Sequence, residues 1–72
     1  MARGQLIAVY VPPTDPHNLL WSKEHRLPPA WRWTIRFDLG RGLKAMHPTL
    51  SRQMFRTYTQ AVRAIEKIIW HT

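Results

Sequence analysis

The sequence predicts an α+β fold: a three-stranded antiparallel sheet packed on one C-terminal helix, with a proline-rich insert over residues 12–30 between strands 1 and 2. Three observations predict it. Residues 31–39, Trp-Arg-Trp-Thr-Ile-Arg-Phe-Asp-Leu, alternate apolar and polar without a break, and only a strand turns that period into one dry side and one wet side. Gly40-Arg41-Gly42 follows with hairpin chemistry. Beyond Thr57 the apolar residues recur at helical spacing.

The elements follow in order. Leu6 to Val11 is a six-residue apolar, β-branched run stopped by Pro12-Pro13, which predicts a first strand with apolar residues on both faces. The insert holds five of the six prolines. Asp15-Pro16 places a cap before a proline at the first helical position, predicting a short helix from Pro16 towards Lys23 with Leu19, Leu20 and Trp21 as its apolar side. A flexible loop is the other reading of this stretch. Leu27-Pro28-Pro29 should be extended, because each proline disfavours the α-region for its predecessor.

On the alternating strand, Trp31, Trp33, Ile35, Phe37 and Leu39 are expected to enter a core, and Arg32, Thr34, Arg36 and Asp38 to face solvent. The return strand should run from Leu43 to about Met46 and again from about Thr49 to Phe55. Pro48 breaks it and predicts an edge, a bulge or a loop tip there. Thr57 and Gln60 form a capping box. Ala61, Val62, Ala64, Ile65, Ile68 and Ile69 then make one apolar stripe, while Gln60, Arg63, Glu66 and Lys67 face water.

A chain of 72 residues is read as one domain, and one of this size hides only about 60% of the surface its unfolded form exposes. Four Trp, two Phe and two Tyr compensate, each ring burying roughly 150–250 Å². The absence of cysteine rules out a disulfide or a thiolate metal site. The longest apolar run is far short of the ~20 residues of a membrane helix, and no secretory signal is visible. These features predict a soluble, intracellular, cytoplasmic protein.

Eleven Lys and Arg against four Asp and Glu give a net charge of +7, which attracts polyanions by Coulomb steering. Arginine outnumbers lysine eight to three, favouring forked contacts to phosphate or guanine. The plain alternative is that the charge keeps the protein dispersed. Asp15, Glu24, Asp38 and Glu66 are scattered, with no nucleophile elbow or phosphate-cradling glycine loop, so no enzyme, cofactor or small-molecule substrate is expected. His17, His25, His47 and His71 match no metal-ligand spacing. The candidate nucleic-acid contacts are instead Arg32, Thr34 and Arg36 on the outward strand face, with Lys44, Arg52 or Arg56 beside them and Arg41 at the hairpin tip. Trp21 and Trp70 are the rings least committed to the core, available to stack on bases or seat in a partner's pocket.

The order of a tryptophan-led strand, a glycine turn, a basic return strand and then Phe55-Arg56-Thr57-Tyr58-Thr59-Gln60-Ala61-Val62-Arg63-Ala64 resembles the three-stranded-sheet DNA-binding domains. These occur in plant ethylene-response factors and in the arm-type domains of phage and transposon integrases. The resemblance covers about residues 31–68 and implies Arg32, Thr34, Arg36, Lys44 and Arg52 as groove-facing positions. It implies a small regulator of phage or mobile-element type, binding DNA before RNA. The insert has no place in that pattern and suggests a second reading: an inhibitor or adaptor that docks on a host nucleic-acid machine, such as RNA polymerase or a nuclease, to regulate transcription.

Overall fold

The computed structural model describes residues 4–70, with side chains through residue 68. Three antiparallel strands in the order β1-β2-β3 form one sheet: β1 Gln5–Val11, β2 Arg32–Gly40 and β3 Leu43–Met46. Helix α1, Pro16–Glu24, lies in the insert between β1 and β2, and helix α2, Tyr58–Trp70, follows a 3-10 turn at Leu50–Arg52. The predicted α+β class, three antiparallel strands and a C-terminal helix, is present.

β1 pairs with β2 along its whole length, from Gln5 opposite Asp38 to Val11 opposite Arg32. Beyond Pro12 the chain cannot continue the ladder, and Asp15 starts α1 by accepting from the amides of His17 and Asn18, both at 3.1 Å. Pro16 sits in the first turn, where a missing N–H costs nothing. The hairpin tip holds Gly40, Arg41 and Gly42 at φ 83°, 54° and 76°, the left-handed region in which two of the three have no Cβ to clash.

The return segment departs from the expected second stretch of strand. β3 ends at Met46, and residues 47–53 turn away from the ladder. His47 Nδ1 accepts from the amides of Thr49 (3.2 Å) and Leu50 (3.0 Å), which rolls the chain into the 3-10 turn. The Ser51 hydroxyl then donates to the Ile35 carbonyl. Only Phe55 rejoins β2, exchanging two backbone hydrogen bonds with Trp33 at 2.8 and 2.7 Å.

The core under α2 is small. Ile35, Leu50, Ala61 and Ile65 are buried together, with Leu6, Ala8, Trp33, Phe55, Ala64 and Ile68 packed around them. Trp31 and Leu39, expected inside, are exposed. The reason is length: a helix of 13 residues spans about 20 Å, against roughly 30 Å for a nine-residue strand, so one helix leaves strand ends uncovered.

The opposite face of β2 is also covered in its middle. α1 lies over it through Asn18 and Ser22, and residues 51–53 flank its edge against the Thr34 hydroxyl, so Thr34 is 0% exposed and Arg32 and Arg36 are only partly accessible. The expectation that these three face solvent is corrected: the insert forms a third layer over the sheet.

Candidate functional site

What buries Arg32, Thr34 and Arg36 also gives them their roles. Arg32 Nη1 donates to the Ser22 hydroxyl (2.6 Å) and Asn18 Oδ1 (3.2 Å), and Nη2 donates to the Pro28 carbonyl (3.0 Å). Its guanidinium lies 5.0 Å from the centre of the Trp21 ring, within cation–π range. Thr34 Oγ1 donates to the Gln53 carbonyl at 2.8 Å. Arg36 Nη2 pairs with Asp15 Oδ1 at 3.0 Å, while its Nε is buried with no partner among the described residues.

Burial pushes the Asp15 carboxyl up. The Arg36 hydrogen bond, the Asn18 amide, the guanidinium charge and the His17 amide together outweigh it, so Asp15 titrates below the ordinary aspartate value. The Arg32 guanidinium, donating to Asn18, Ser22, Ala30 and Pro28, has little left to offer a phosphate.

The other expected contacts divide. Arg41 is exposed at the hairpin tip. Lys44 stands opposite Asp38 rather than Arg36, and its Nζ lies 3.8 Å from Asp38 Oδ1. Arg52 closes the 3-10 turn and Arg56 precedes α2, both exposed. Neither joins a ribbon with Arg32 and Arg36, because the chain between Met46 and Phe55 is not a strand. Trp21 stacks on His25 at 4.1 Å beneath Arg32. The side chain of Trp70 lies outside the described residues.

The structure assembles a different cationic face. Between residues 49–55 and α2 runs a shallow groove of about 780 Å³ with Leu50 and Phe55 in its floor and Gln53, Gln60, Arg63 and Lys67 at its rim. Gln60, Arg63 and Lys67 follow the i, i+3, i+7 spacing that puts side chains on one helix face, and Glu66 does not line the groove. Phe55 and Gln60 also line a neighbouring hollow of about 530 Å³ that includes Arg56 and Trp21. Trp21 joins this to a third hollow, about 370 Å³, lined by both Arg52 and Glu24.

Arg52, Arg56, Arg63 and Lys67 are all exposed. None takes part in an ion pair among the described residues, where the pairs are Arg36–Asp15 and Lys44–Asp38. Arg63 and Lys67 escaped the sequence reading as site residues because an amphipathic helix needs a polar outer face in any case. Their common stripe with Gln60 was the available signal.

Such a face can hold a chain of phosphates: guanidinium forks and an ammonium supply charge, and the two glutamine amides supply neutral donors. Among the described residues no group of three or more His, Asp or Glu side chains is placed to hold a metal ion. No described helix is long and apolar enough to cross a membrane. No family model matches the chain, nor does any curated protein or solved structure.

Proposed function

We propose that this protein is a small nucleic-acid-binding regulator that holds the phosphate backbone on the face shared by the 3-10 turn and α2. The observation that carries the reading is the sorting of its cations. Arg32 and Arg36 are bonded within the fold and Lys44 faces Asp38 at the surface, whereas Arg52, Arg56, Arg63 and Lys67 line neighbouring hollows and, among the described residues, take part in no ion pair, although Glu24 also lines the hollow beside Arg52.

On a chain of net charge +7, these four supply the local field. Each phosphate they neutralise releases condensed counterions, so binding weakens as salt rises. The test is a salt titration of binding for the wild type and for the double variant Arg63→Gln/Lys67→Gln. The variant should bind more weakly, with the log–log salt slope reduced by about two units. An unchanged slope and affinity would remove the reading.

A second reading has its own support. Leu19 and Leu20 of α1 are 44% and 56% exposed, and Leu27 beyond its end is exposed too, an apolar surface suited to a protein partner. In that case the protein is an adaptor on a nucleic-acid machine, with these leucines rather than Trp21 as its anchors.

A further inference from the structure

One cluster of side chains lies outside the cationic groove, and of its members Trp33 alone packs against the core. Trp31, Tyr10, Trp33 and Tyr58 form a row across the sheet to the start of α2, with successive ring centroids 5.0, 4.9 and 5.1 Å apart. Tyr10 stands opposite Trp33 in the β1–β2 register. Trp31, Tyr10 and Tyr58 are 53%, 51% and 55% exposed. Large rings are a small domain's main source of buried area, so three of them left half in water call for an explanation beyond stability.

The row is continuous with the groove. Trp33 is bonded through its backbone to Phe55, which lies in the groove floor. Arg56 follows, its amide donating to Gln60 Oε1 at 3.0 Å, and it lines the hollow that shares Phe55 and Gln60 with the groove. Thr57 Oγ1 accepts from the Gln60 amide at 3.2 Å, so the first residue of α2, Tyr58, is held in place by its own cap.

We infer that this aromatic row is a stacking platform for unpaired nucleobases, and that the preferred ligand is a single strand whose phosphates run into the groove at Arg56. The inference rests on the nucleic-acid reading of the groove and adds a choice of ligand to it. Every base has an apolar π-face that stacks on Trp or Tyr regardless of sequence, while an adjacent cation tracks the backbone. A duplex hides those faces between neighbouring base pairs and offers the rings only phosphates, sugars and base edges. The charge complementarity of Arg56, Arg63 and Lys67 favours a polyanion over an uncharged apolar partner for the same rings.

The experiment titrates the full chain with a mixed-sequence oligonucleotide of about twenty nucleotides, single-stranded and as its duplex, at one salt concentration. Tryptophan fluorescence is followed throughout. The single strand should bind more tightly and quench the fluorescence more strongly. Trp31→Ala should weaken single-strand binding about 5- to 150-fold, the range for loss of one stacked base, and leave duplex binding in place. Tyr58→Leu should act in the same direction while keeping an apolar contact on Trp33, and thermal melting monitors folding of both variants. Unaltered single-strand affinity in folded Trp31→Ala and Tyr58→Leu, or equal affinity of the wild type for the two ligands, would overturn the inference. If Arg63→Gln/Lys67→Gln still weakened both ligands, the groove reading would survive that failure.

Discussion

Helix α2 turns Ala61 and Ile65 inward and Arg63 and Lys67 outward, whereas α1 buries Asn18 and Ser22 and leaves Leu19 and Leu20 in solvent. The two helices meet opposite faces of β2, and the difference between those faces accounts for the inversion. α2 meets Ile35, which offers only apolar area, so its own apolar stripe docks by burial. α1 meets Arg32 and Arg36, which cannot be covered by leucine without stranding a charge. Asn18 is suited to that place: its amide donates to the Pro12 and Ala30 carbonyls at 3.0 and 2.9 Å while its Oδ1 accepts from Arg32. A helix next to a charged sheet face therefore carries its polar residues inward.

The comparison can be tested by substitutions that distinguish burial from hydrogen bonding. The largest effect should come from the burial side. Ile65→Ala is expected to cost about 2–5 kcal/mol in chemical denaturation, a large fraction of the roughly 4–11 kcal/mol available to a chain of 72 residues. A loss below about 1 kcal/mol would show that α2 does not dock as described.

The hydrogen-bonded side should respond less, and in a pH-dependent way. Asp15→Asn preserves a competent helix cap but removes the charge facing Arg36, and is expected to cost about 1–3 kcal/mol at neutral pH. Because Asp15 has its pKa lowered by folding, its contribution is complete above the unfolded value of about 4 and is lost as pH falls through the lower folded value. The stability gap between wild type and Asp15→Asn should therefore narrow on acidification. A gap constant from pH 6 to about pH 2 would contradict the ion pair.

The smallest effect is expected at the leucines of α1. Leu19→Gln and Leu20→Gln should change stability by no more than about 0.5 kcal/mol; on an ordinary amphipathic helix the same changes would be costly. As folded variants they also separate the adaptor reading from the groove reading, since they leave Arg63 and Lys67 untouched.

Much of the architecture was legible beforehand because it depends on short-range rules. The alternation from Trp31 to Leu39, the glycines at the hairpin and the stripe from Ala61 to Ile68 each specify an element from its own residues. Asp15-Pro16 likewise marked the start of α1. The orientation of that helix was not legible: Leu19, Leu20 and Trp21 are the apolar residues, and a rule that sends apolar side chains inward picks the wrong side. The stretch from Thr49 to Phe55 has strand-like residues but forms no continuous strand, because the side chain of His47, accepting two amides, substitutes for the ladder.

The candidate site shows the same division. The excess of positive charge and the residues that carry it can be read from the chain alone, since composition requires no contacts. Which cations are free can be read only from the folded molecule. Arg32 and Arg36 are occupied by Asn18, Ser22 and Asp15, residues 14, 10 and 21 positions away along the chain. A charge's availability depends on what packs over it, and no period or local motif encodes a partner that distant.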